Sequence, residues 1–171
     1  RNIISFLDLG ETNGNIQNPS FTSSLGGVFP DNDQANDMYQ NLLNQYSGIR
    51  DINQVNNTLS IPSNLSINFI GGQDYEKLER ARKLKETEYT LHPQLGYISL
   101  NQALNNDEVL AVAFQYTVGN QNFQVGELTS NGPNAPDALI VKLLKGTTFS
   151  PSLKNWELMM KNIYALGAYQ M

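Results

Sequence analysis

Period-two alternation between Asp107 and Leu128 (DEVLAVAFQYTVGNQNFQVGEL) constrains the fold of this chain more than any other feature. Leu110, Val112, Phe114, Tyr116 and Val118 fall on one side of the repeat; Ala111, Ala113, Gln115 and Thr117 fall on the other. Gly119 and Asn120 tolerate positive φ and suit a tight turn, after which Phe123 and Val125 resume the alternation. The stretch reads as a β-hairpin. Its large apolar side suits a core, and its small alanines admit a helix or second sheet at one end.

Other segments supply what such a hairpin packs against. Arg1–Leu9 can be a strand, with Ile3, Ser5, Leu7 and Leu9 on one side and Ile4 and Phe6 on the other. Gly10 to Gly27 is a long loop rich in Gly, Asn, Ser and Thr. A helix is expected from about Asp33 to Tyr46, with Met38, Leu42, Leu43 and Tyr46 at helical spacing and Gly48 to end it. Ile49–Leu59 fits a short helix through Ile52, Val55 and Leu59, although Asn56 and Asn57 weaken it. Leu65, Ile67 and Phe69 alternate as a strand closed by Gly71 and Gly72.

Asp74 is expected to cap a surface helix over 75–86. Tyr75, Leu78, Ala81 and Leu84 form its apolar stripe, and the pairs Glu76–Arg80 and Glu79–Lys83 support it at i,i+4. Glu88–Leu91 and Tyr97–Leu100 are short strands around His92-Pro93 and Gly96. Asn131–Asp137 is a turn-rich loop, and Ala138–Leu144 (ALIVKLL) an internal strand. A last helix runs from Pro151 or Ser152 to Leu166, and Ala168–Met171 begins another strand.

The expected class is therefore α+β: an antiparallel sheet or partial sandwich with about three packed helices, near 33–46, 75–86 and 152–166. The last helix is expected to bury Trp156 and Met160 on the sheet. A chain of 171 residues fits a single domain, 1–171, with its weakest point near Gly71-Gly72.

Composition excludes several functions. A net charge of −5 argues against a nucleic-acid surface. The absence of Cys removes disulfides, thiol catalysis and thiolate metal sites. No apolar run approaches the length of a membrane helix. Asn and Gln make up roughly a fifth of the chain, which suits many loops. The chain starts at Arg1 rather than Met and reads as a piece of something longer.

Candidate sites are few. His92 is the only His; no nucleophile-elbow pattern accompanies it, and Pro93 biases it to an extended conformation. Asp31, Asp33 and Asp37, with Asn32 and Asn36, resemble oxygen ligands for calcium. The EF-hand spacing nevertheless fails at Ala35, Asn36 and Leu42, so a turn and helix cap is the simpler reading. No carboxylate pair stands out for glycoside hydrolysis. Trp156, Tyr97 and Tyr116 could stack on sugars, but Trp156 sits in an apolar helix stripe that points to packing. Asn56-Asn57-Thr58 and Asn64-Leu65-Ser66 are formal glycosylation acceptors. No catalytic, cofactor-binding or metal-binding residue is assigned, and no cofactor is expected.

Longer stretches carry a resemblance. DYEKLERARKLKETEYTLHPQLGYISLNQALNNDEVLAVAFQYT (Asp74–Thr117), QVGEL (Gln124–Leu128) and APDALIVKLLKGTTFSPSLKNWELMMKNIYALGAYQM (Ala135–Met171) resemble the SprA/Sov family. RNIISFLDLGE and DNDQANDMYQNLL (Asp31–Leu43) are also similar; Thr12–Phe29 and Ser47–Ser66 match least. That family comprises very large outer-membrane proteins of Bacteroidota that form the translocon of the type IX secretion system and are required for gliding motility. The resemblance implies a non-enzymatic domain excised from a much longer protein, serving protein secretion at the outer membrane and cell surface. It implies contact with the remainder of the same chain and makes secreted cargo proteins and accessory translocon subunits candidate partners.

The alternation is too interrupted by helices and loops for a barrel segment. A domain inserted between barrel strands is expected, on the extracellular cap or on the periplasmic side, with the extracellular side favoured. Two rivals stand beside it. One is a stand-alone cell-surface module binding glycans or peptides. The other is a hydrolase using His92 or a carboxylate pair.

Overall fold

The computed structural model describes residues 1–17, 31–61 and 67–164. The protein is α+β. Its centre is a four-stranded sheet ordered β2-β1-β8-β5, built from β1 (Ile3–Phe6), β2 (Tyr75–Leu78), β5 (Leu110–Val112) and β8 (Leu139–Lys145). β1 pairs antiparallel with β2, Phe6 opposite Tyr75, and parallel with β8, Ile4 opposite Ile140. β5 pairs antiparallel with β8. The sheet is thus mixed, and its one parallel pair joins segments far apart in the chain.

IISF and LIVKLLK are buried on both faces, as expected of central strands with near-continuous apolar sequence. The main core lies against the face carrying Ile4, Phe6, Tyr75 and Ile140. α1 (Met38–Gln45) and α2 (Val55–Ser60) cover it with Met38, Leu42, Val55 and Leu59, and the turn between them adds Tyr46, Ile49 and Ile52. Ile67 and Phe69 are buried while Asn68 and Ile70 are exposed, so the foreseen alternation holds there without a sheet ladder. Phe69 meets Phe6 edge-on at 5.7 Å and Tyr46 at 5.9 Å. Leu65, Ser66 and Ala168–Met171 lie outside the described residues, as do Leu166 and most of the glycine-rich loop ahead of Gly27.

Two hairpins stand apart from the central sheet. β3 (Tyr89–His92) pairs with β4 (Tyr97–Leu100), and β6 (Phe114–Val118) pairs with β7 (Gln121–Val125) across Gly119 and Asn120. Both were legible in the sequence.

Four expectations are corrected. The segment 75–86 is not a helix. Tyr75–Leu78 forms β2, and the chain then leaves the strand through Arg80 at φ +56°. Tyr75 buries its ring against Phe6, and Glu76 accepts bonds from the Thr147 amide and hydroxyl at 3.0 and 2.9 Å. Pairing with β1 therefore overrides a local pattern worth only tenths of a kcal/mol per contact. Lys77 pairs with Glu79 at 3.2 Å in place of the expected i,i+4 pairs.

The last helix, α3 (Lys154–Asn162), packs on β8 but turns a different face to the body. Asn155 and Met159 are buried, Trp156 is half-buried edge-on to Phe149, and Met160 is 59% exposed. Asn155 fixes that rotation by reaching the carbonyls of Gly72 and Thr148 at 3.4 and 3.3 Å.

The large apolar side of β5–β6 does not face the core as one surface. The chain bends at Ala113, so β5 joins the sheet and β6 departs with β7. Phe114 is then 42% exposed and Val118 49%, while Phe123 and Val125 of β7 bury instead. The small alanines do admit a close approach, but the approaching element is the backbone of Gly126. The first helix is also shorter than expected: Asn36 turns its side-chain oxygen to the Met38 amide at 3.0 Å, and helix begins only at Met38.

Candidate functional site

Polar chemistry concentrates where the end of β7 crosses β8. Glu127 follows β7 and docks on β8 through its own backbone: its amide donates to the Ile140 carbonyl at 2.8 Å. Its carboxylate is buried and has four donors. Arg50 reaches Oε1 and Oε2 with Nη2 and Nη1 at 2.6 and 2.9 Å. The Tyr39 hydroxyl donates to Oε1 at 2.7 Å, and the Ile140 amide to Oε2 at 2.9 Å. Burial pushes the Glu127 carboxyl up, but Arg50, Ile140 and Tyr39 outweigh it and hold the group below the usual range. The Tyr39 hydroxyl is pushed up by burial and by its bond to Glu127. A carboxylate so fully paired is a weak base, and it fastens α1, the turn at Arg50 and β8 together.

A second buried set lies at the end of β1. Asp8 Oδ1 accepts from the Gly10 amide at 2.7 Å and Asn36 Nδ2 at 3.3 Å. Its Oδ2 accepts from the Thr12 hydroxyl at 2.6 Å and the Ile16 amide at 2.9 Å. Lys142 of β8 donates to the Leu7 carbonyl and pairs with Glu11. Burial raises the Glu11 carboxyl, with the Lys142 charge opposing. Between the two sets sits Asp33, whose Oδ1 accepts from the Gly126 amide at 3.1 Å. Burial raises its carboxyl to about 7.

Lys145, at the far end of β8, donates to the carbonyls of Asn105, Asn106 and Glu108 at 3.0, 3.1 and 2.5 Å and lies 5.1 Å from the Phe149 ring centroid. Burial lowers its ammonium. This lysine ties the loop ahead of β5 to β8.

The residues singled out in the sequence do not converge. His92 lies in the projecting β3–β4 hairpin, stacked on Tyr97 at 4.3 Å. The oxygens of 31–37 are directed apart. The Asp31 carbonyl accepts from the Tyr116 hydroxyl, Asp33 faces Gly126, and Asn32 Oδ1 accepts from the Gln34 amide at 2.9 Å. Among the described residues, no three of His, Cys, Asp and Glu are grouped to hold a metal ion. Tyr97, Tyr116 and Trp156 sit on β4, β6 and α3, which share no sheet. The Asn56 side-chain oxygen accepts from the Tyr75 hydroxyl at 3.0 Å, and Asn64-Leu65-Ser66 lies outside the described residues.

Arg50, Glu127, Asp8, Glu11 and Lys142 escaped the sequence reading. A signal existed for two of them: Lys142 interrupts ALIVKLL and Asp8 interrupts IISFLDL, and a charge inside a buried run requires a partner.

The surface adds a different feature. Leu91 and Ile98 are opposite one another on β3 and β4, both exposed, and Leu95 at the tip is 74% exposed. At the base of this hairpin, Arg82 clamps Glu88 with both contacts at 2.6 Å. Beside them is a hollow of about 110 Å³ lined by Arg82, Leu84, Glu88, Leu100 and Glu108. No helix among the described residues is long and apolar enough to cross a membrane. Comparison with protein-family models and with curated proteins gave no match to this chain.

Proposed function

We propose that the chain is a non-catalytic structural and interaction domain of an outer-membrane protein-export translocon of the SprA/Sov type, serving type IX secretion and gliding motility. The sequence resemblance supplies the system. The observation that carries the interaction role is the β3–β4 hairpin, which projects with Leu91, Leu95, Tyr97 and Ile98 exposed. An isolated two-stranded hairpin is marginal in water, and exposed apolar residues grouped on one mark a contact surface. The buried charges fit a structural role, because the fully paired carboxylates Asp8 and Glu127 join distant segments.

In this reading the partners are the remainder of the same translocon chain, secreted cargo and accessory subunits. The soluble domain stands on the extracellular side. A photo-crosslinking residue at Leu95, introduced into the full-length protein in cells, tests the contact. Adducts to the rest of the chain, to a secreted cargo protein or to a channel subunit are expected. Absence of any adduct at Leu95, with efficient crosslinking at a position buried in a known interface, would contradict it.

The second reading is a stand-alone surface module that binds glycans or peptides. It draws on Phe114, exposed at the end of a stack in which Phe114–Tyr116 and Tyr116–Phe123 are separated by 6.1 and 5.4 Å. Saturable binding of a glycan or peptide that Phe114→Ala abolishes would favour it.

A further inference from the structure

We propose that the open edge of β6 pairs with the same edge of a second copy of this chain, joining two β6–β7 hairpins into one four-stranded antiparallel sheet about a two-fold axis at Tyr116.

One observed bond fixes which backbone groups β6 offers. The Gln124 carbonyl of β7 accepts from the Asp33 amide at 3.2 Å, so Gln124 turns its backbone away from β6. Its cross-strand partner is Gln115, and in such an antiparallel pair both residues face outward. Thr117, two positions on, faces outward as well. Phe114, Tyr116 and Val118 direct their backbone groups to β7 instead. Among the described residues, no backbone bond from outside the hairpin reaches Gln115 or Thr117, and both are exposed. The outer edge of β7 is occupied by Asp33; that of β6 is open.

The sequence does not guard this edge. Edge strands are ordinarily protected by a charge, a proline or a bulge. Val109 to Gly126 contains neither a charged residue nor a proline. The register of β6 with β7 runs unbroken from Phe114 to Val118.

The edge is also its own complement. A two-fold axis at Tyr116 sets Gln115 opposite Thr117 of the second copy, and Phe114 opposite its Val118. Each Gln115–Thr117 pair exchanges two backbone hydrogen bonds, and the symmetry repeats them. Phe114 is 42% exposed and Val118 49%, and an aromatic ring facing a β-branched side chain is a favourable cross-strand pair. Both lie on the side of the Phe114–Tyr116–Phe123 stack, which the junction continues from one hairpin into the other. The chain carries a net charge of −5, yet no like charges meet in this register. A five-residue strand buries little area, so the pairing is weak and depends on concentration. It rests on the β6 edge and is independent of the export assignment.

Disulfide trapping in the 171-residue chain tests the register cleanly, because the chain has no Cys. Gln115→Cys and Thr117→Cys chains, altered at exposed positions, are mixed in equal amounts and oxidised. The register brings these two positions to a Cα separation of about 5.5 Å, within disulfide reach, whereas two copies of either position lie out of register. The mixed disulfide should exceed both self-linked products several-fold. Products in the proportion of random pairing would overturn the proposal. Sedimentation of the unaltered chain should show its mass rise from 19.1 kDa toward twice that value between micromolar and millimolar concentration. Thr117→Pro removes an outward amide and leaves the bonds to β7 in place, so it should hold the chain at 19.1 kDa. A dimer that Thr117→Pro leaves intact would overturn the β6 edge as the interface. A chain that stays monomeric at millimolar concentration would overturn the pairing, whether the edge then meets water or a foreign strand. Should Thr117→Pro fail to fold, the disulfide ratio decides.

Discussion

Arg50 and Glu127, 77 residues apart in sequence, meet in a two-pronged ion pair, with Nη2–Oε1 at 2.6 Å and Nη1–Oε2 at 2.9 Å. Arg50 is further held by the Ala138 amide, which donates to its carbonyl at 2.9 Å. Removing the guanidinium would strand a buried carboxylate. Arg50→Met should therefore cost on the order of 3 kcal/mol in urea denaturation. Arg50→Lys should recover only part of it, because an ammonium cannot reproduce the fork. A change within ~0.5 kcal/mol for Arg50→Met would show the pair to be dispensable.

Acid should find the same pair. The Glu127 carboxyl lies below its ordinary 4.5 in the folded chain, so the stability it contributes is present above 4.5 and is lost as pH falls through the folded value. Glu127→Gln should flatten the acid limb of the stability profile below pH 4.5 while leaving the limb above pH 5 unchanged. Urea midpoints measured at several pH values check it, and an unchanged acid limb would show that other carboxylates dominate.

Gly126 has φ +72°, and a side chain there would meet the Ala113 Cβ at 3.1 Å and the Val141 Cα at 3.2 Å. Gly126→Ala combines a left-handed backbone with overpacking, and should cost about 2–4 kcal/mol. Gly119 also has positive φ, but a Cβ there meets nothing within 4 Å. Gly119→Ala should be milder, about 1–2 kcal/mol from the backbone alone. Thermal unfolding of the two variants separates the terms.

On α3, Met159→Ala should cost about 2–3 kcal/mol, since its side chain is buried, whereas Met160→Ala should stay within ~0.5 kcal/mol. Trp156→Ala, which loses a half-buried ring and its edge contact with Phe149, should fall between them. Equal costs at 159 and 160 would mean that the helix is rotated from the position described.

What the sequence disclosed follows the range of the forces involved. The β3–β4 and β6–β7 hairpins were readable because each is closed by a local turn, at Gly96 and at Gly119-Asn120. ALIVKLL was readable because a mostly apolar seven-residue run has few places to go except a sheet interior, and β8 covers it from Leu139 on. The segment after Asp74 was misread because its charge spacing suits a helix equally well. Only the partner strand, about 70 positions away, decides for β2. The bend at Ala113 was hidden as well, since the backbone that lies close against Ala113 belongs to Gly126. The polar clusters were the least legible. Lys142 and Asp8 announce that partners must exist, but nothing in their neighbourhood names Glu11 or Asn36.

An antibody raised to this domain, used on fractionated native cells, tests the functional assignment most directly. The proposed role predicts an immunoblot band far above the 19.1 kDa of this chain, confined to the outer-membrane fraction. A soluble band near 19.1 kDa would contradict it and leave the stand-alone binding module as the better description.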